Sequence, residues 1–145
     1  MFLRMKHIVV GRIATLLVAV AFAACVHRLS LLNSGDPRFA AAAPDSFDVE
    51  MITTKGPLVV RVWRAWSPHG TDRFHTLVEH HFFDGVAFHR VIRNFVAQFG
   101  ISGDPAIAAA WNGRTMPDDT VRAPNQRGTL AFARGGAVRR VGRGL

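Results

Sequence analysis

The sequence predicts a mainly β domain with helices, on three observations. Apolar side chains alternate over Phe47, Val49 and Met51, with Asp48, Glu50 and Ile52 between them, and resume over Leu58, Val60 and Val62 after a Lys55-Gly-Pro57 turn. The run from Phe83 to Gly100 reads as two short strands about a turn. Phe74, Leu77, Val78 and His81 recur at helical spacing. At 145 residues the chain has room for one domain and one core. Hydrophobic residues make up 49% and charged residues 19%, which excludes a disordered tail and a polytopic membrane protein.

Residues 1–25 have the layout of an export signal. Arg4, Lys6 and Arg12 form a positive region, Ile13 to Val26 is uncharged and mostly apolar, and small residues precede Cys25. The uncharged run is shorter than the ~20 residues of a membrane-spanning helix. Cys25 is the single cysteine, so no intramolecular disulfide forms. It ends the segment Phe22-Ala-Ala-Cys25, which resembles a bacterial lipobox and makes Cys25 a candidate lipidation site, with cleavage after a nearby alanine as the alternative. Residues 26–45, with Asn33-Ser-Gly-Asp-Pro37 and Ala40-Ala-Ala-Ala-Pro44, have the composition of a flexible linker.

The first strand and its hairpin partner follow from Phe47. Ser67-Pro68 opens a helix, with serine placed to cap the free amides and proline at the first helical position. Strands are expected near Val86–Arg90 and Phe95–Phe99, a loop from Gly100 to Gln126, and a fifth strand over Gly128–Phe132. Residues 137–145 form a basic tail without helical or strand periodicity, of a composition that GC-rich codons give when read out of frame.

The formal net charge of +8 points first to nucleic acid, but its distribution argues against that partner. Leaving out residues 1–25 and 134–145, 11 basic residues face 10 acidic ones. His75, Glu79, His80 and His81 lie close together, yet no third ligand has a compelling spacing and no HExxH motif is present, so no metal is expected.

Many ordered motifs resemble the cyclophilin-type peptidyl-prolyl isomerases across residues 47–136. They are Thr54-Lys-Gly-Pro57, Arg73-Phe74, Phe83-Asp-Gly-Val86, Phe88-His-Arg-Val-Ile92, Phe95-Val-Ala-Gln98, Gly100-Ile-Ser-Gly-Asp104, Trp111, Asn125-Gln-Arg-Gly128 and Leu130-Ala-Phe-Ala133. The resemblance implies an antiparallel β-barrel capped by helices, with a proline-binding groove on its surface. It places Arg90 on the catalytic arginine, Phe95 on a wall of the proline pocket, Gln98 on a glutamine that contacts the substrate backbone, and Ala133 on the groove lining. Val96 stands where methionine is common, Arg93-Asn94 replaces Pro-Gly, and Arg134 replaces an asparagine that binds peptide backbone. Nothing after Arg134 matches the strands that close such a barrel, so an incomplete barrel is expected.

Read without the resemblance, Arg90 is a surface arginine paired with Asp84 or Asp104. Read with it, the expected activity is rotation of X–Pro bonds in folding proteins, with no cofactor. The expected partners are proline-containing polypeptides, and no nucleic acid. The expected state is a monomer, exported to the periplasm or anchored by lipid to a bacterial envelope. Two other readings stand beside this one: a non-catalytic proline-peptide binding module, and an inactive fragment of a frameshifted gene.

Overall fold

The computed structural model describes residues 2–8 and 30–133. Strand β1 (Phe2–Ile8) is followed by a 3-10 turn (Pro37–Ala40), β2 (Ser46–Thr53), β3 (Gly56–Trp63), a second 3-10 turn (Arg64–Trp66) and helix α1 (Pro68–Glu79). Then come β4 (Val86–Ala87), β5 (Arg90–Ile92), β6 (Val96–Gln98) and α2 (Pro105–Trp111). One four-stranded sheet has the order β3-β2-β1-β4, with antiparallel pairing throughout, and β5 and β6 form a separate hairpin. The sheet does not close into a barrel among the described residues.

The alternation that predicts β2 works as expected. Val49 and Met51 are buried, while Asp48 and Glu50 lie on the opposite side, where Asp48 accepts two hydrogen bonds from the Arg61 guanidinium at 2.8 and 2.6 Å. Leu58 of β3 is 50% exposed, because β3 is an edge strand with nothing beyond it among the described residues. The core joins Leu3, Met5, Val49, Met51 and Val86 of the sheet to Phe74, Leu77 and Val78 of α1, and to Phe39, Phe82, Phe83 and Phe99.

Residues 2–8, within the segment expected as an export signal, fill the sheet between β2 and β4, and Leu3 and Met5 are each 1% exposed. The alternation Leu3-Arg4-Met5 suits a strand with one buried face. Arg4 lies on the outer side near Asp84, at 3.9 Å. Cys25 and Arg134 lie outside the described residues.

Three further features differ from the sequence reading. The segment expected as a flexible linker is packed from Ser30 onward. Phe39 is buried with its ring edge-on to Trp111, the Trp111 indole donates to the Leu31 carbonyl at 2.8 Å, and the Ala43 amide donates to Asp72 at 2.9 Å. One buried aromatic ring and these bonds outweigh the alanine-rich composition. Within the expected loop, Asp104 caps α2 by accepting from the amides of Ala106 and Ile107, with Pro105 at the first helical position. Residues 128–132 form no strand, because no described strand lies alongside to complete a ladder.

α1 begins where Ser67-Pro68 predicts, but Ser67 does not cap it. The Asp119 carboxylate does so from across the chain, accepting from the amides of His69 (3.0 Å) and Gly70 (2.9 Å) and from the Ser67 hydroxyl (2.6 Å). His81 lies beyond the helix end at φ +60° and is exposed instead of extending the apolar stripe.

Candidate functional site

The β5–β6 hairpin positions the arginine. Ile92-Arg-Asn-Phe95 forms its turn, closed by the Phe95 amide on the Ile92 carbonyl at 3.1 Å. Asn94 takes φ +61°, a left-handed conformation that asparagine tolerates better than most residues. Arg90 pairs with Gln98, and Ile92 with Val96. Side chains two apart on a strand share a face, so Arg90, Ile92, Val96 and Gln98 stand together on one side of the hairpin. Phe99 points the other way into the core, with its ring 5.1 Å from Phe88 and 6.0 Å from Phe83. That aromatic anchor fixes the hairpin and leaves its outer face open.

On that face Arg90 Nη1 donates to Gln98 Oε1 at 2.7 Å. The two acids that a surface reading of Arg90 would pair it with are engaged elsewhere. Asp84 sits 3.4 Å from His81 and 3.9 Å from Arg4, and Asp104 caps α2. A guanidinium bonded to a neutral amide keeps its full charge and several N–H donors for a ligand. Phe95, at the hairpin turn, is 76% exposed, and Ile92, on the same face as Arg90, is 40% exposed. The outer surface therefore combines an oriented cation with uncovered apolar groups.

The structure thus brings Arg90, Val96 and Gln98 onto one face and sets Phe95 at its end. Ala133 is half-buried and follows Phe132, whose ring packs against α1 at Gly70. A Cβ on Gly70 would lie 3.2 Å from that ring and 2.5 Å from the Ser67 hydroxyl, so glycine is what admits this approach. His75 sets its ring edge-on to Phe47 at 4.8 Å and faces Glu79 at 3.6 Å.

Two features escaped the sequence reading. One is the Asp119 cap, about 50 residues from the helix it closes and without a local signature. Burial alone would raise the Asp119 carboxyl. The Ser67 hydroxyl and the Gly70 and His69 amides outweigh it and hold the group below its ordinary value. The other is a cavity of about 530 Å³ between α1, α2 and the end of the hairpin at Gln98, with Arg73, Trp111 and Phe132 in its wall. Arg73-Phe74 and Trp111 stood out in the sequence, but only the fold shows them meeting.

Comparison with known proteins bears on the same residues. Residues 48–142 match the family described as cyclophilin type peptidyl-prolyl cis-trans isomerase/CLD. The peptidyl-prolyl cis-trans isomerase of Acinetobacter baylyi is 33% identical over 86 residues, covering 59% of this chain and 46% of that protein. Peptidyl-prolyl cis-trans isomerase ppi1 of Schizosaccharomyces pombe is 38% identical over 58 residues, covering 40% of this chain and 36% of that protein. The chain spans less than half the length of these relatives. No solved structure matches significantly.

Proposed function

Because the chain belongs to the cyclophilin-type peptidyl-prolyl cis-trans isomerase family, we propose that it accelerates rotation about X–Pro bonds, with Arg90 as the catalytic residue. The observation that carries this is the Arg90–Gln98 pair, held at 2.7 Å on the open face of a hairpin inside the matched span.

Rotation about a peptide bond faces a barrier of ~18–20 kcal/mol because it breaks amide resonance. At the twisted geometry the proline nitrogen regains a localised lone pair, which accepts a hydrogen bond that the planar amide nitrogen does not. An Arg90 N–H aimed there stabilises the transition state and not the ground state, so it lowers the barrier and does not merely tighten binding. Each ~1.4 kcal/mol gained is a tenfold rate. Gln98 is a positioning residue: its carbonyl oxygen fixes one nitrogen of the guanidinium and leaves its amide for the substrate backbone. Phe95 and Val96 supply the apolar contact for the proline ring and Ala133 extends the groove; Arg134 is assigned to substrate binding by family resemblance alone. Rotation makes and breaks no σ bond, so neither a nucleophile nor a metal takes part.

Proline-containing polypeptides are the proposed substrates and an envelope compartment the proposed place, with Cys25 as the lipid attachment point. The support for export is the charge and apolar layout of residues 1–25. Residues 2–8 also form β1, so cleavage before Cys25 removes that strand, and the four-stranded sheet is that of the uncleaved chain. Precursor maturation slowed by globomycin is the expected result, and unchanged maturation removes the lipoprotein assignment. For the activity, the test is the isomerisation rate of a proline tetrapeptide with the whole chain, set against Arg90→Ala. Equal rates for the two would remove Arg90 from its role.

A further inference from the structure

Four arginines in this structure, Arg4, Arg38, Arg61 and Arg64, each face a carboxylate. Arg73 does not. It leaves α1 half-buried, with its guanidinium 5.3 Å from the centre of the Trp111 ring. Burial lowers its pKa, and the one charge that acts on it among the described residues is Arg114, which lowers it further. A half-buried cation thus lies beside an exposed one, with no acid between them among the described residues.

That place is the wall of the 530 Å³ cavity, a volume within the ~300–1,000 Å³ of small-ligand sites. Leu77, Phe82, Phe83 and Phe132 supply apolar wall, Arg73 and Arg114 supply charge, and no acidic side chain lines it among the described residues. Arg114 is itself fixed, with Nε donating to the Ser34 hydroxyl at 2.8 Å.

We propose that this cavity binds a small amphipathic carboxylate, with its apolar body against Phe82, Phe83 and Phe132 and its carboxylate on the Arg73 guanidinium. The planar guanidinium presents parallel N–H groups that match a carboxylate bidentately, and the cation–π contact with Trp111 helps to keep it at the cavity wall. The aromatic walls take a hydrocarbon or aromatic body and disfavour a second charge. The cavity borders the proposed isomerase face at Gln98, but Arg90 is not in its wall, and the acid preference set by Arg73 is read without reference to catalysis.

The test uses the whole chain with 4-phenylbutyrate and its neutral counterpart 4-phenylbutanol as probes, read by calorimetry and by tryptophan fluorescence in a Trp63→Phe, Trp66→Phe background that leaves Trp111 as the single emitter. The acid is expected to bind saturably and at least about tenfold tighter than the alcohol, the size of one charge-assisted hydrogen bond. Arg73→Met should remove that preference and leave alcohol binding unchanged, and Arg73→Lys should keep part of it. Equal affinity for acid and alcohol in the unaltered chain overturns the proposal without any variant, as does the absence of saturable acid binding. An unchanged acid affinity in a folded Arg73→Met chain overturns it too.

Discussion

Replacing Asp119 by alanine tests whether α1 is held from a distance. The carboxylate satisfies two orphan amides of the first helical turn, at 3.0 and 2.9 Å, and the Ser67 hydroxyl at 2.6 Å. Loss of a helix cap costs ~0.5–2 kcal/mol. The third bond and the favourable placement of a negative charge at a helix N-terminus push Asp119→Ala toward the upper end of that range. Partial exposure of Asp119 limits the gain, so about 2 kcal/mol is expected, or ~10 °C in Tm for a domain of this size. Asp119→Asn keeps acceptor oxygen but not charge and should lose about half as much. The pH dependence has a fixed sign. The folded carboxyl is held below its ordinary value, so its contribution is complete above pH ~4 and disappears as pH falls through the lowered folded value. Urea unfolding at pH 7 and again in the acid range measures both. A change below about 0.5 kcal/mol at pH 7, or a difference between the two chains that grows on acidification, would refute the reasoning.

Other substitutions probe the frame around the site. Leu3→Ala, at a 1% exposed position of β1, is expected to cost about 3 kcal/mol in urea unfolding; unchanged stability would mean that residues 2–8 are not part of the folded sheet. Asp72 accepts from both Nε and Nη2 of Arg64 and from the Ala43 amide, whereas Asp48 meets Arg61 on the surface. Asp72→Asn should therefore lower Tm by several degrees and Asp48→Asn by only ~1–2 °C. Equal losses in a thermal melt would contradict that ranking. The Arg64 guanidinium is what chiefly holds the Asp72 carboxyl below its ordinary value, so the Asp72 contribution also fades as pH falls below ~4.

Local pattern carried much of this fold. Strict alternation at Phe47–Met51 and the helical recurrence of Phe74, Leu77 and Val78 were enough for β2 and α1, because each element has one wet face and one dry one. The hairpin around Arg90 was legible for the same reason, and antiparallel register then placed Gln98 beside it. α2 has a clear start in Asp104-Pro105, but its short alanine run offered no apolar stripe to read. β1 has the alternation of a strand in Leu3-Arg4-Met5, yet the same basic residues serve equally as the positive region of an export signal. The strand expected at Gly128–Phe132 needed a neighbour, and pairing is not a property of one segment. Asp119 could not be found from sequence at all: a cap supplied from about 50 residues away leaves no spacing to recognise.

The central claim is that Arg90, steadied by Gln98, lowers the barrier to X–Pro rotation. The direct measurement is cis–trans exchange of a proline tetrapeptide with the whole chain, Arg90→Ala and Gln98→Ala, each first shown to unfold cooperatively. The account predicts catalysis by the unaltered chain, a fall of ~100-fold or more in Arg90→Ala, as for removal of one transition-state donor, and a smaller fall in Gln98→Ala. A folded chain that leaves the exchange at its uncatalysed rate, or an Arg90→Ala chain as fast as the original, would contradict it.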